Sequence, residues 1–281
     1  MNQDIAPTAI VHRGADLANG VRIGPYSIIE DDVVIGEGCE IGPYVRVASG
    51  TRIGCECRIF QGAAIGSEPQ DLKFSAEKTF LRIGDHTTIR EGCTINRGTQ
   101  ATGETVIGSH CYFMAYSHVA HDCVVGNHFV AANNCNLAGH VRIGNHVTTG
   151  GVAAIAQFCQ IGDHCFLGAY SHICKDVVPF SMVVPDPMRI AGINRVGLAR
   201  AIFEESRRRQ IQRAYKILFQ SNLTWREAVL TLEETFPGCP DILNLITFVK
   251  ASRRSLLRTK KSGPSVSAPR AVRGGDESCL T

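Results

Sequence analysis

The sequence predicts a mainly β protein, a left-handed parallel β-helix of hexapeptide repeats followed by a small C-terminal helical domain. Three observations predict it. An aliphatic residue recurs every six positions, glycine often follows that residue, and the pattern ends after Pro179, where helical spacing begins. Short repeats of fixed length are typical of solenoids, in which each repeat contacts only its neighbours.

The six-residue repeat runs from Ile5 to Ile173, and 24 of its 29 aliphatic positions hold Ile, Val, Leu or Phe. Each hexad is expected to form a short strand and a corner, so that three hexads close one triangular coil. Successive coils pair as parallel strands about 4.8 Å apart, and residues n and n+18 therefore become neighbours. The glycine after the aliphatic position is expected to suit a tight corner.

The cysteines follow the same repeat. Eight of the twelve lie two positions before an aliphatic position: Cys39, Cys57, Cys93, Cys111, Cys123, Cys135, Cys159 and Cys165. This phase predicts small buried hydrophobic side chains and not a disulfide framework. Cys55 and Cys57 form a lone C-x-C, which is too little for a metal site.

The β-helix is predicted to span residues 1–190, with two external loops. In 66–80 the aliphatic positions fall on Asp71 and Glu77, which cannot line a dry core unpaired. The segment 96–105 is shorter and rich in turn-forming residues. Loops that project from a rigid scaffold commonly carry function.

A helical domain is predicted over 191–258. The stretch LARAIFEESRRRQIQRAYKILFQ has helical spacing, with one apolar face formed by Ile211, Tyr215, Leu218 and Phe219. Thr224 and Glu227 predict a capping box, and Pro240 is expected to open a third helix whose apolar face is Ile242, Leu245, Ile246 and Val249. The polar residues 259–281 are predicted to form a disordered tail.

Charge is unevenly distributed. Residues 1–194 hold 13 Lys and Arg against 18 Asp and Glu, a net −5, whereas 195–281 hold 16 against 8, a net +8. A basic C-terminal part favours an acidic macromolecular partner or a phosphorylated ligand; charge alone also fits nucleic acid. The chain has neither an apolar run long enough to span a bilayer nor an apolar signal segment, so neither a membrane span nor secretion is expected, and the protein is predicted to be cytoplasmic. Three flat faces and a helical tail predict a homotrimer with sites between subunits.

The five residues HVAHD, 118–122, carry the candidate chemistry. Stacking by 18 places His121 beside Gly139 and Asp122 beside His140, and the same spacing assigns His86 to the Asp122 column. An imidazole can take a proton from an attacking hydroxyl, a carboxylate can orient it, and a glycine N–H can hold an oxyanion. No Ser or Cys nucleophile is evident, so direct attack by a bound acceptor is the simpler mechanism. The alternative is a cluster of corner histidines bonded to backbone carbonyls.

A second set of histidines is spaced by 18: His110, His128, His146 and His164. Four stacked imidazoles could bind metal or respond to pH. Because each occupies an exposed corner position, where polar residues are routine, a solvated corner without bound metal is the favoured interpretation.

Four segments carry a resemblance to a known family. SHVAHDCVVGNH, NLAGHVRIG, SEPQDLKF and GINRVGLAR resemble the acyl-carrier-protein-dependent UDP-N-acetylglucosamine O-acyltransferases of lipid A biosynthesis, from the first coil to the third helix. The resemblance implies transfer of an (R)-3-hydroxyacyl chain from acyl carrier protein to the glucosamine 3-hydroxyl. It implies no cofactor beyond the donor's phosphopantetheine, no metal, no nucleic-acid partner and no membrane span.

The resemblance also implies residue roles. His121 would be the general base, Asp122 its partner and Gly139 the oxyanion donor. The substrate-binding residues implied are Gln70, Asp71 (on the sugar), Lys73, His118, His140, Gln157, Asn194 and Arg200 (near the diphosphate or the carrier protein). Ala169 would limit acyl-chain length, which predicts a medium-length chain.

Three positions depart from the family pattern: Ala156 and Asn96, where histidines are usual, and Val196, where glutamate is usual. A 3-amino sugar nucleotide or a different acyl donor is therefore an alternative. Three other interpretations have less support. An N-acyltransferase relative would need a domain before the coils, a β-helix carbonic anhydrase would need a different histidine spacing, and a non-enzymatic scaffold would tolerate loss of His121.

Overall fold

The computed structural model describes residues 4–259. Its strands form three sheets of eleven, nine and eight strands. As far as His172–Ile173, consecutive strands join the first, second and third sheet in turn, and the last two strands both extend the first sheet. The first sheet contains Asp4–Ile5, Arg22–Ile23, Glu40–Ile41, Arg58–Ile59, Thr88–Ile89, Tyr112–Phe113, Val130–Ala131, Thr148–Thr149, Phe166–Leu167, Ser181–Pro185 and Met188–Ile193. The second contains Ile10–Val11, Ile28–Ile29, Arg46–Val47, Ala64–Ser67, Thr94–Asn96, His118–Val119, Asn136–Leu137, Ala154–Ile155 and His172–Ile173. The third contains Asp16–Leu17, Val34–Ile35, Thr51–Ile53, Phe80–Ile83, Glu104–Ile107, Val124–Val125, Arg142–Ile143 and Gln160–Ile161.

The strand register confirms the predicted coil of three hexads and shows where the regular offset between coils is interrupted. Val125 pairs with Ile143 in parallel, which is the regular offset. Ile65 pairs with Ile95, because the segment between Ser67 and Phe80 leaves the coil. The second excursion lies between Asn96 and Glu104. In the coil that contains it, Thr88 pairs with Tyr112, an offset that is one hexad longer than the regular one. The regular offset returns in the next coil.

This change of offset makes one sequence prediction wrong. His86 does not belong to the column of Asp122 and His140. Its ring stacks on His110 at 4.8 Å between centroids, so it extends the other histidine column by one coil. The second excursion adds one hexad to the coil between them, which shifts the column by one corner.

The interior is packed mainly with buried aliphatic side chains, as predicted, together with cysteines and a few phenylalanines. The eight cysteines of the repeat phase are all at most 2% exposed, and no disulfide joins cysteines within 4–259. Burial raises the pKa of the Cys123 thiol to about 12, consistent with an inert hydrophobic role.

The role of the repeated glycine differs from the prediction. Apart from Gly66, where the chain leaves the coil, glycines after the aliphatic position lack positive φ, but a Cβ on Gly36 would lie 2.6 Å from the backbone carbon of Gly54 in the next coil. Close stacking of coils, and not a left-handed turn, requires glycine here. The residues with a left-handed backbone lie two positions after this glycine position in the hexad and include Asp122 and His140, with φ of 61° and 62°. They turn the chain at each corner and project side chains there.

Beyond the last coil, Ser181–Pro185 and Met188–Ile193 form an antiparallel hairpin that ends the first sheet. Four helices follow: α1 (Arg195–Arg200), α2 (Glu205–Gln220), α3 (Trp225–Thr235) and α4 (Pro240–Ala251).

The predicted helical stretch that starts at Leu198 is broken, because Ile202 adopts a φ of 60° and Phe203 turns inward against His164 and Phe180. The capping box of Thr224 and Glu227 is confirmed. None of these described helices is long and apolar enough to cross a membrane. From residue 260 onward the tail predicted at 259–281 lies outside the described residues.

Candidate active site

The His121–Asp122 pair occupies the corner that follows strand His118–Val119 of the second sheet. Nδ1 of His121 lies 2.7 Å from Oδ2 of Asp122, and the two side chains are 8% and 0% exposed. The left-handed backbone of Asp122 brings its carboxylate back onto the preceding ring. A buried carboxylate at Nδ1 fixes the neutral imidazole with its lone pair on Nε2.

The second excursion holds the carboxylate in place. Thr99 donates to Asp122 through its N–H at 3.0 Å and through its hydroxyl at 2.7 Å, and the Thr102 hydroxyl donates to the same carboxylate. Burial alone would raise the pKa of Asp122, but the hydrogen bonds from Thr102, His121 and Thr99 outweigh it and hold this pKa below its usual range. Asp122 is therefore an ionised partner for the imidazole at neutral pH.

Gly139 lies in the next coil, directly against the ring of His121. A Cβ at Gly139 would come within 2.7 Å of Cε1 and 2.8 Å of Nε2. Within residues 4–259 the Gly139 N–H donates no hydrogen bond, whereas its carbonyl accepts one from Phe158 at 3.2 Å. An open amide beside the basic nitrogen can stabilise an oxyanion that forms there.

Two more histidines flank the pair. His140 places Nε2 3.6 Å from Oδ2 of Asp122, meets the His121 ring edge-on and stacks on Phe158 at 4.6 Å. His118 shares a 2.7 Å hydrogen bond between Nδ1 and the Thr94 hydroxyl. Burial lowers the pKa of both His140 and His118, so both are suited to act as neutral hydrogen-bond partners at pH 7.

The loop between Ser67 and Phe80 carries Gln70, Asp71 and Lys73. Asp71 caps a turn by accepting from the Lys73 N–H at 3.0 Å. Its charge raises the pKa of His140, against the larger effect of burial, which shows that it lies near the His121 corner. Gln70 and Lys73 are exposed.

Gln157 lies one coil beyond Gly139, and its Nε2 would be 3.2 Å from a Cβ at Gly139. The structure therefore brings Gln157 to the His121 corner. Asn194 and Arg200 lie elsewhere, on a groove of about 780 Å³ between the third-sheet corner and α1. Asn194 is 9% exposed, caps α1 by accepting from the Gly197 N–H at 3.0 Å and donates to the His164 carbonyl at 3.0 Å.

The remaining predicted positions are dispersed. Ala169 is exposed at the corner between the first and second sheets, a corner that His121 does not share. Ala156 packs against the core beside Gln157, and Val196 is 63% exposed beside the groove. Asn96 is 2% exposed, donates to the Glu68 carbonyl at 2.6 Å and leaves its own Oδ1 without a partner.

Sequence reasoning missed Thr99, Thr102 and Phe158. The run NRGTQATGET indicated a loop, but nothing in its spacing showed that two hydroxyls would return to Asp122. Among described residues, His121, Asp122 and His140 offer three potential metal-ligand atoms within 4.8 Å of one another. The direct carboxylate–imidazole contact of 2.7 Å accounts for the grouping as a hydrogen-bonded pair.

A histidine bonded to a buried carboxylate and lying against a glycine with an open amide, at the corner of a hexapeptide-repeat β-helix, fits an acyltransferase of the hexapeptide-repeat class, to which the chain belongs. Comparison with known families agrees. The family model for bacterial transferase hexapeptide repeats matches residues 14–49, and the model for domain 2 of UDP-N-acetylglucosamine O-acyltransferase matches residues 176–257.

The chain belongs to the acyl-[acyl-carrier-protein]–UDP-N-acetylglucosamine O-acyltransferase family. The member from Thermodesulfovibrio yellowstonii is 40% identical over 91% of this chain and 99% of its own length. The member from a Sulfurihydrogenibium species is 53% identical over 90% of this chain and 94% of its own length. A solved structure from Moraxella catarrhalis, 40% identical, covers 90% of this chain and 99% of that chain with a TM-score of 0.88. The left-handed β-helix with a short helical C-terminal region is thus confirmed.

Proposed function

We propose that this chain transfers an acyl group from acyl carrier protein to the glucosamine 3-hydroxyl of UDP-N-acetylglucosamine, the first step of lipid A biosynthesis. Relatives that match it over nearly their whole length are named as O-acyltransferases that act between acyl carrier protein and UDP-N-acetylglucosamine. One structural observation carries the proposal: Nδ1 of His121 is bonded to Asp122, and the ring lies against Gly139, whose N–H donates no hydrogen bond within residues 4–259.

The mechanism follows from these two groups. Nε2 of His121 takes the proton of the sugar hydroxyl as its oxygen attacks the thioester carbonyl, and the new C–O bond forms. The Gly139 N–H stabilises the oxyanion while Asp122 stabilises the imidazolium. The C–S bond then breaks, and the departing phosphopantetheine thiol receives the proton from Nε2. Besides the two substrates, the proposed reaction steps use only His121, Asp122 and the Gly139 N–H, so the scheme requires no cofactor and no metal.

The donor is proposed to carry an (R)-3-hydroxyacyl chain of medium length, limited at Ala169. His118, His140 and Gln157 are proposed to contact the substrates at the His121 corner, together with Gln70, Asp71 and Lys73 of the loop. Asn194 and Arg200 are assigned to the nucleotide or the carrier protein. The net charge of +8 over residues 195–281 suits an acidic carrier protein.

The working unit is proposed to be a cytoplasmic homotrimer. One corner of the β-helix carries an exposed row of large side chains in its left-handed positions, namely Tyr26, Tyr44, Tyr116, Val152 and Tyr170, between 46% and 74% exposed. Burial of such a row against another copy would remove apolar surface from water. A neighbouring copy would also supply the Asn194 and Arg200 groove to the His121 corner.

The 3-amino acceptor left open by Ala156, Asn96 and Val196 is not favoured, because the relatives are named O-acyltransferases. A non-enzymatic scaffold would not explain a buried His–Asp pair held by two threonines of a loop.

The test is product analysis by mass spectrometry, with UDP-N-acetylglucosamine and a set of hydroxyacyl carrier proteins. The parent should form the 3-O-acyl product, and His121→Ala should lower turnover by about 10²–10⁴-fold. His12→Ala removes an exposed imidazole of an early coil and should act as the parent does. Full activity of His121→Ala, or an N-acyl product, would refute the proposal.

A further inference from the structure

The two excursions from the coil lie against each other. The first leaves the coil after Ser67 and carries the loop residues assigned above to the substrate. Asn96, at the start of the second excursion, donates through its side-chain amide to the Glu68 carbonyl at 2.6 Å and to the Ser67 carbonyl at 3.3 Å. Further along, the Gln100 N–H donates to the Glu77 carboxylate at 3.2 Å. The second excursion therefore holds the first one at both ends.

The middle of the first excursion, residues 69–74, has few attachments. Within the described chain no hydrogen bond or ion pair joins this segment to another part of the protein, because Asp71 accepts from the N–H groups of Lys73 and Phe74 in the same turn. One ring contact does reach it. The Arg97 guanidinium lies over the Phe74 ring, with Cζ 5.4 Å from the centroid, a distance at which a cation and an aromatic face attract.

Arg97 contacts both arms of this turn. On the near arm its N–H donates to the Ser67 carbonyl at 3.0 Å, and its guanidinium donates to the Gly66 carbonyl and to Glu68, each at 3.4 Å. On the far arm it meets Phe74. The Glu68 side chain is 67% exposed, so the solvent weakens that ion pair, and the carbonyl and ring contacts carry the attachment. The Arg97 side chain is only 14% exposed, which leaves little of it open to a ligand.

We infer that Arg97 is a positioning residue: it holds the two arms of the first excursion together and so places the turn of Gln70, Asp71 and Lys73 for the sugar nucleotide. This inference rests on the proposed function only for the identity of the ligand. A site that is ordered for a fraction of the time binds with an affinity reduced by that fraction. Loss of the guanidinium should therefore weaken binding and leave the chemical step at His121 in place.

The second excursion serves the base with a different residue. Thr99, two positions after Arg97, donates to Asp122 through its N–H and its hydroxyl. Between them the Gly98 N–H donates to the Phe80 carbonyl at 3.1 Å, a backbone contact that does not depend on the Arg97 side chain. Substitutions of Arg97 and Thr99 should therefore have separate effects, the first on affinity and the second on turnover.

The test compares the parent with Arg97→Gln and Arg97→Lys. Glutamine removes the guanidinium, whereas lysine keeps a cation for the Phe74 ring but not the planar fork. Arg82→Gln is the matched control, because Arg82 is 57% exposed and pairs with Glu104 at 2.6 Å, at the end of the second excursion and not on the first. Circular dichroism melting checks that each full-length variant folds.

Three measurements follow. Brief trypsin digestion, with fragments identified by mass spectrometry, reports how often the turn opens, since the peptide bond after the exposed Lys73 lies inside it. Calorimetric titration gives the Kd for UDP-N-acetylglucosamine without any acyl transfer. Steady-state assays with a hydroxyacyl carrier protein separate KM from kcat.

Arg97→Gln should speed cleavage after Lys73 by roughly tenfold and raise Kd and KM for UDP-N-acetylglucosamine by roughly tenfold, with kcat changed by less than about threefold. Arg97→Lys should lie between this variant and the parent, and Arg82→Gln should match the parent. Thr99→Val should show the reverse pattern, a lower kcat with unchanged cleavage after Lys73.

Two outcomes would overturn the inference. Unchanged cleavage in Arg97→Gln would show that Arg97 does not hold the turn, and a loss of affinity without faster cleavage would indicate that it contacts the ligand directly. Faster cleavage with unchanged affinity would show that the position of the turn does not set binding. If the parent itself failed to bind UDP-N-acetylglucosamine, the proposed function would be refuted instead, and the cleavage rates would still decide whether Arg97 holds the turn.

Discussion

Replacing Gly139 with alanine tests the geometry of the His121 corner most directly. The added methyl group would lie 2.7 Å from Cε1 of His121 and 2.8 Å from Nε2. Gly139 does not have a positive φ, so alanine introduces no backbone strain and acts through its side-chain neighbours: chiefly the His121 ring and, more weakly, Nε2 of Gln157 at 3.2 Å.

The magnitude follows from these distances. The imidazole must retreat by about 0.7 Å to turn the 2.7 Å contact into an ordinary one of 3.4 Å. Because Nδ1 is held 2.7 Å from Asp122 and the ring is buried, the retreat either stretches that hydrogen bond or moves Nε2 off the acceptor hydroxyl. Displacement of a reacting group by about 1 Å costs up to about 10²-fold, so kcat should fall roughly 30- to 100-fold.

The assay is steady-state acyl transfer by the full chain, with KM measured for both substrates. Gly151→Ala is the matched control, since its nearest heavy atom would be the Asn133 carbonyl oxygen at 3.5 Å, an ordinary contact. The control should retain turnover, and both variants should melt cooperatively near the parent. If Gly139→Ala kept more than about a third of the parent kcat, the close approach of Gly139 to the base would have no catalytic role.

Three further predictions concern the carboxylate, the coil stack and the acyl chain. Asp122→Asn should lower kcat by about 10²–10⁴-fold, because an amide cannot hold the same tautomer. The folded-state pKa of Asp122 is depressed, so the stability that its carboxylate contributes should be complete at pH 7. This stability should be lost as pH falls through the folded-state pKa of Asp122. Unfolding free energies from urea titrations of the parent and the variant should therefore converge in acid. Gly36→Ala should destabilise the fold by about 1–3 kcal/mol, since its Cβ would meet the Gly54 backbone at 2.6 Å; an unchanged urea midpoint would contradict this. Ala169→Met should shift preference toward shorter acyl chains when hydroxyacyl carrier proteins compete, and an unshifted product ratio would remove Ala169 as the length determinant.

Periodicity carried most of the fold. An aliphatic residue every six positions is typical of a parallel β-helix, and a triangular coil of three hexads buries all of these residues at once. The same phase correctly predicted that eight cysteines are buried and unpaired. The capping box at Thr224 was equally local, because its two hydrogen bonds join residues three apart.

Predictions that depended on counting residues across an external loop were less accurate. His86 was assigned to the wrong column because the second excursion lengthens one coil, a change that no local pattern reveals. The repeated glycine was attributed to a tight corner, whereas close contact between coils requires it. This contact depends on how coils stack and not on the single hexad. The break between α1 and α2 was missed because Phe203 leaves the helical path to contact His164.

By itself the sequence determined the coil, its hydrophobic interior and the placement of His121, Asp122 and Gly139 at one corner, because these depend only on a regular offset between coils that is unbroken after Ile107. Only the tertiary structure decided how that corner is held and what surrounds the second histidine column. The hydroxyls of Thr99 and Thr102 reach Asp122 from a loop whose path depends on packing, and the groove beside His128 exists only where α1 docks on the last coils. A periodic pattern specifies contacts between repeats, but a loop or a docked helix is placed by many weak contacts that no period encodes.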